Sequence, residues 1–302
     1  MYHALALPCS PNDVHERIYK GQILAIDAQP AMAKLVTFAD EFLREALFPH
    51  TPALIHQHWS HAQQAEGFTR CQADFHQAHE ANRLWVKLME DIGLDPVELA
   101  CDRLHLRFQP PPSSDAPASR ARATATIAFH RDTWGSNLYA QTNWWAPIYP
   151  VSAQRTFAMY PHLWDQPLQN TSAEFDLASV LARSQAGGRN SVDADQATPH
   201  LLETVDASLG QPVVIAPGSI IAFSGAHAHA GVPNSSALTR ISFETRTLWL
   251  NDLRKGRGAP NIDGHARWMS PGFFRCLSDG QRLHEWLGCS YLTLYKKGQK
   301  YP

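Results

Sequence analysis

The 302-residue chain carries a formal charge of −2 and a pI near 6.8, with 18% charged and 44% hydrophobic residues. That balance is ordinary for a globular protein and excludes an electrostatic case for nucleic acid or an anionic membrane surface as partner. Five scattered cysteines without a Cys-x-x-Cys pair exclude a disulfide framework and a zinc ribbon, and fit a reducing, cytoplasmic location.

Residues 1–22 read as an irregular lead-in with Pro8 and Pro11. No basic segment precedes the short apolar run Ala4–Leu7, so it is not a secretory signal, and no apolar run has the length of a membrane span. Gln22–Ile26 fits a short strand. From Ala31 to Leu47 the apolar positions Met32, Leu35, Val36, Ala39, Leu43 and Leu47 recur at helical spacing, and Pro49 and Pro52 close that helix. Residues 53–92 are helical again and rich in histidine. His76 and His79 share a helix face as a zinc site would require, but the surrounding glutamines favour a polar surface.

After Gly93 the spacing predicts a short helix at Asp95–Leu99 and a strand at Leu104–Phe108. The Pro- and Ser-rich stretch Pro110–Ser119 is either a flap over a site or a plain surface connection. Strand-like segments follow at Thr124–His130, Tyr139–Pro147, Thr156–Tyr160, Gln211–Ile215, Ser219–Phe223 and Thr239–Leu248, separated by Gly, Pro, Asn and Ser. A polar insert covers 161–210, with helix near Phe175–Arg183, and the tail 251–302 holds a short helix around Asp279–Leu287. Many short strands after a helical start, without βαβ alternation, predict a mostly β fold built on a double-sheet barrel with helical additions. The expected organisation is one domain: a largely helical part to 103, a core from 104 to 250 carrying the insert, and a tail packed on that core.

The chemistry concentrates in His130-Arg131-Asp132. On a strand, residues two apart face the same way, so His130 and Asp132 offer an imidazole nitrogen and a carboxylate oxygen to one point. A third ligand comes from His227 or His229, which alternation alone does not separate. Two imidazoles and one carboxylate occupy one face of an octahedral metal and leave the other face open, the arrangement of non-haem Fe(II) oxygenases. On the predicted strand at 139–147, Gln141 and Asn143 share a face suited to line a cavity, or they satisfy neighbouring backbone. Trp145 lies on the same parity, and Trp134 follows the triplet closely enough to wall a substrate pocket. Arg240, Ser242, Glu244 and Arg246 share one face of the last predicted strand, where Glu244 can neutralise an arginine.

The order His-x-Asp, aromatic-rich strand, Ala216-Pro-Gly-Ser219 feeding an apolar strand, His, Pro233-Asn234 and then Arg240 resembles the Fe(II)- and 2-oxoglutarate-dependent dioxygenases, in particular the phytanoyl-CoA dioxygenase-like group. The resemblance spans roughly Leu104 to Leu248 and implies a double-stranded β-helix (jelly-roll, cupin-like) core flanked by N-terminal helices. It implies Fe(II), 2-oxoglutarate and O2 as cofactors, with His130, Asp132 and His229 as metal ligands. His229 is preferred because it stands four residues before Pro233 and eleven before Arg240, with His227 beside the site or on a pocket wall. Arg240 would grip the far carboxylate of 2-oxoglutarate with its guanidinium fork, helped by Ser242, Gln141 or Asn143, while Arg246 is either a pocket residue or part of an internal salt bridge. The implied reaction hydroxylates a small molecule with release of succinate and CO2, and the carboxylate of Asp132 argues against halogenation. A cupin-type metalloenzyme without 2-oxoglutarate and a non-catalytic β-barrel binding protein are the alternatives.

Overall fold

In a computed structural model, described over residues 2–112, 123–188, 192 and 196–295, several helices begin at a side-chain cap or an N-terminal proline. After a short strand β1 (Tyr2–Ala4), Ser10 caps α1 (Pro11–Tyr19) by accepting the Asp13 N–H at 3.2 Å, and Asp13 returns a bond to the Ser10 backbone. Strand β2 (Ile23–Ile26) leads to α2 (Pro30–Ala46), whose buried stripe is Ala31, Met32, Leu35, Ala39 and Leu43. Helices α3 (His61–His76) and α4 (His79–Ile92) complete the layer. Gly93 closes α4 at φ 101°, and a Cβ there would lie 2.4 Å from the Cys9 carbonyl, so both conformation and space require glycine.

Strands β3 (Leu99–Cys101), β4 (His105–Gln109), β5 (Gln141–Pro147) and β6 (Phe157–Met159) follow, then α5 (Leu177–Gly187), β7 (Gln211–Pro212), β8 (Ile220–Ser224), β9 (His229–Gly231) and β10 (Arg240–Trp249). The tail adds α6 (Leu250–Lys255), β11 (Trp268–Met269), β12 (Arg275–Cys276), α7 (Leu283–Trp286) and β13 (Thr293–Leu294). The large sheet runs β1-β2-β8-β5-β10-β3-β12, with β4 also paired to β10; a three-stranded sheet runs β7-β6-β9. Aromatic contacts join the two sheets, Trp145 to Phe157 at 5.0 Å and Phe157 to Phe223 at 6.0 Å between ring centroids. The architecture is therefore a β-sandwich with helices packed on the outer face of its larger sheet.

Strand β10 organises both faces. Ile241 and Phe243 point to the helices, where Phe243 meets Phe75 of α3, while Arg240, Glu244 and Arg246 point into the sandwich. Two expected strands are corrected. Thr124–His130 does not form a strand: along β9 it makes the isolated His130–His229 bridge and accepts the Gly231 N–H at the Ile127 carbonyl, 2.8 Å, without a continuous ladder. Gln211–Ile215 shortens to β7 because its partner β6 begins at Phe157, whose carbonyl accepts the last bond, from Val213 N at 2.9 Å. Most of the expected flap at Pro110–Ser119 lies outside the described residues.

Candidate metal centre

His130 and His229 are joined by reciprocal backbone hydrogen bonds, each 3.0 Å, which places their side chains together on the inner edge of the small sheet. Asp132 reaches them differently from the expected strand alternation, because it opens a 3-10 turn over Asp132–Trp134. The ligand atoms of His130, Asp132 and His229 all lie within 4.8 Å of one another, the one such cluster of potential metal ligands among the described residues. Each imidazole hydrogen-bonds a backbone carbonyl two residues earlier through Nδ1, His130 to Ala128 at 2.9 Å and His229 to His227 at 3.0 Å. A carbonyl accepts only from N–H, so Nδ1 carries a proton in both rings and both Nε2 atoms face inward, that of His130 toward Asp132.

The electrostatics distinguish the two imidazoles. Burial, reinforced by the neighbouring His130, lowers His229 to about 4, so it stays neutral. Burial also opposes charge on His130, but the Asp132 carboxylate 3.3 Å from its Nε2 outweighs it and raises its pKa. Against its own burial cost, the two imidazoles hold the Asp132 carboxyl well below the usual range. An ionised carboxylate wedged between two histidines, with no other cation bonded to it, is a donor set that fits a divalent metal.

These residues line a cavity of about 320 Å³ between the sheets. Trp145, Phe157 and Phe223 form its aromatic side, and His105, Arg107, Arg240, Glu244 and Arg246 its charged floor. Arg240 is 6% exposed, and its Nε and Nη1 meet no hydrogen-bond partner among the described residues. Burial, with Arg107 nearby, lowers it to about 10, still cationic at neutral pH. Two residues along the same strand face, the fully buried Ser242 hydroxyl also has no partner among the described residues, but neither it nor Gln141 lines the cavity, against the expected contact with co-substrate. Arg246 differs: its Nε and Nη2 both bond Asp102, and Arg107 pairs with Glu244.

Gln141 and Asn143 are both buried, and their amides donate to Asp132 Oδ2. His227 is buried against Trp164, 4.4 Å between centroids, with Nε2 3.0 Å from the Gly21 carbonyl, and does not line the cavity. Trp134 is not on the wall either: the 3-10 turn swings it away, and its indole donates to Asp263 at 2.8 Å. Sequence reading missed Asp102, His105 and Arg107; the alternation Leu104–Phe108 carried the signal, since it sends His105 and Arg107 to one face. It also missed Phe157 and Phe223, whose pattern is that of any core strand. No helix among the described residues is long and apolar enough to cross a membrane.

No protein-family model and no curated protein sequence matches this chain. Among solved structures, it is similar to the non-heme monooxygenase ThoJ in its apo form, 15% identical over 83% of this chain and 80% of that one, with a TM-score of 0.45. It is also similar to EvdO2 from Micromonospora carbonacea var. aurantiaca complexed with 2-oxoglutarate, 14% identical over 59% of this chain and 62% of that one, TM-score 0.36. The epimerase SnoN in complex with Fe3+, alpha ketoglutarate and nogalamycin RO is 14% identical over 89% of this chain and 100% of that one, TM-score 0.40. Likeness at this level assigns no reaction, and the functional reading rests on the side chains.

Proposed function

We propose that this chain is an Fe(II)- and 2-oxoglutarate-dependent oxygenase with a jelly-roll core, acting on a small molecule in the cytoplasm, and most similar in motif spacing to the phytanoyl-CoA dioxygenase-like group. The observation that carries the reading is the buried guanidinium of Arg240, without a hydrogen-bond partner at Nε and Nη1, in the same cavity as the His130, Asp132 and His229 cluster. A cation so placed costs free energy unless an anion completes it. A dicarboxylate that reaches from the metal cluster to Arg240 does so, and neither a cupin without this co-substrate nor a passive barrel gives Arg240 a role.

In this reading His130, Asp132 and His229 hold Fe(II), through two Nε2 atoms and a carboxylate oxygen. Arg240 binds the far carboxylate of 2-oxoglutarate. Trp145, Phe157 and Phe223 keep water from the reacting face, which strengthens the charge interactions inside. Bound Fe(II) and 2-oxoglutarate supply the oxidising chemistry: with O2 the co-substrate becomes succinate and CO2, and one oxygen atom is delivered to a substrate C–H bond to give an alcohol.

The test is an anaerobic titration of the Fe(II)-reconstituted protein with 2-oxoglutarate, following the weak visible charge-transfer band of the chelate. A band in wild type that is lost in Asp132→Ala supports the proposal. Its absence from wild type at saturating Fe(II) overturns it.

A further inference from the structure

We infer that Gln141 and Asn143 are positioning residues that make Asp132 a one-oxygen ligand. The inference rests on the metal reading above and concerns how this chain prepares its carboxylate before any metal arrives.

Asp132 Oδ2 accepts the side-chain amides of both Gln141, at 3.1 Å, and Asn143. Gln141 spends its other N–H on Asn143 Oδ1 at 2.8 Å, so the two amides form a directed chain ending on one carboxylate oxygen. The orientation of both amides is fixed by the acceptor: turning either one over would set a carbonyl oxygen against an ionised carboxylate. The other oxygen, Oδ1, lies 3.3 Å from His130 Nε2, on the side of the two imidazoles. Gln141 and Asn143 are 4% and 6% exposed, so both donors are buried.

The surrounding backbone is built to allow this. Gly225 donates its N–H to the Gln141 carbonyl at 3.2 Å and accepts from Thr133 N at 3.3 Å, tying the end of β8 to both partners. A Cβ at Gly225 would come 3.1 Å from Gln141 Nε2 and 3.4 Å from Asp132 Cβ, so a side chain there would press on the amide-carboxylate contact. The amides project from β5, a central strand of the large sheet, whereas Asp132 belongs to a turn beside the small sheet. The clamp therefore also fixes the distance between the two sheets at the metal cluster.

The consequence is coordinative. A carboxylate with both oxygens free can occupy two positions on a metal, whereas one whose second oxygen is saturated by two N–H donors occupies one. With a six-coordinate metal bound, three protein donors would take three positions and leave three for other ligands.

The test is Co(II) titration of the metal-free protein, read by the d–d absorption spectrum and the dissociation constant, in wild type and Asn143→Leu, which keeps approximate shape and removes the donor. Thermal unfolding of each metal-free protein is measured alongside. We expect wild type to give a weak six-coordinate spectrum. Asn143→Leu should bind Co(II) about 10- to 100-fold more weakly, with an altered d–d spectrum. If Asn143→Leu does not fold, Gln141→Met, which leaves the Asn143 bond in place, is expected to move affinity and spectrum in the same direction. Unchanged affinity and spectrum in a folded variant overturn the positioning role while leaving the metal reading intact. Failure of wild type to bind either Co(II) or Fe(II) overturns the metal reading, and this inference with it.

Discussion

Arg131 Nε and Asp263 Oδ2 meet at 3.0 Å across 132 positions of sequence, in a site where the two side chains are 1% and 3% exposed. Arg131 stands between the metal-ligand candidates His130 and Asp132 and points the opposite way, behind them. Its Nη2 also donates to the carbonyls of Leu163 and Gln166, and Asp263 accepts from Trp134 and from Leu168 N. One carboxylate from the tail thus fixes the motif, the residue that ends its turn and the start of the insert. Asp263→Ala leaves a buried guanidinium uncompensated and is expected to lower the unfolding free energy by about 3–5 kcal/mol, measured by urea denaturation of the metal-free protein. Replacing both partners with apolar residues of similar volume should recover much of that loss. Equal losses in the single and double variants would refute a pairing role.

Arg240 and Arg246 share a strand face and a cavity but should behave differently when neutralised. Arg240→Met removes the cation assigned to the co-substrate and is expected to weaken 2-oxoglutarate binding by about 10- to 100-fold, the range of a charge-assisted bond, with little effect on stability. Arg246→Met instead strands Asp102, whose carboxyl Arg246 holds below its usual range against the cost of burial. Its main effect should be a lower melting temperature. Calorimetric titration of 2-oxoglutarate into the Fe(II) protein, with thermal scans of both variants, separates the two. The assignment fails if Arg246→Met carries the larger binding loss.

The cluster was legible in the sequence because its chemistry is dense: His130, Asp132 and His229 are short-range neighbours of strand and turn signals that single residues carry. Arg240 and Arg246 share a face of one strand in the sequence, which alone does not tell them apart. The route by which Asp132 reaches the histidines was not legible, since a His-x-Asp triplet reads equally as alternation on a strand or as a strand end followed by a 3-10 turn. Choosing between them depends on tertiary pairing, which the triplet itself does not carry. Likewise the partners of the cavity arginines, Asp102 for Arg246 and Glu244 for Arg107, follow from the register of β3 and β4 against β10. Register is set across more than 100 residues of chain and leaves only its alternation in the local sequence.

Acid should destabilise the protein partly through His15, far from the metal cluster. His15 is 1% exposed, stacks on Trp249 with 4.8 Å between centroids, and is lowered to about 4 by burial. A histidine near 6.5 when unfolded and about 4 when folded binds more protons unfolded. Its contribution is complete above pH 6.5, falls as pH drops through that window, and is fully lost below about 4, a swing of about 3 kcal/mol at the limit. His15→Phe, which keeps a ring against Trp249, is expected to flatten the pH dependence of unfolding free energy between these values. An unchanged slope would remove His15 as a source.

The charge pattern of the cavity makes a last prediction, about what enters it. Arg107 is paired to Glu244 and Arg246 to Asp102, so these two cations of the floor are already neutralised on the wall. On the proposed function Asp132 is given to the metal and Arg240 to the co-substrate. A substrate with a net charge would then be buried without a counter-ion, at a cost of several kcal/mol, whereas hydroxyl or amide groups can bond the exposed edges of the existing pairs. Opposite the floor, Trp145, Phe157 and Phe223 offer ring faces to an apolar or ring-shaped portion. Among compounds tested for stimulation of succinate release by the Fe(II) protein, uncharged molecules carrying hydroxyl or amide groups are expected to outperform their carboxylate and amine counterparts of matched size. Stronger stimulation by the charged members of matched sets would show that one of the wall pairs opens to bind substrate. Glu244→Gln, which frees Arg107, should in that case shift the preference further toward anions, while on the present reading it weakens binding of the uncharged compounds.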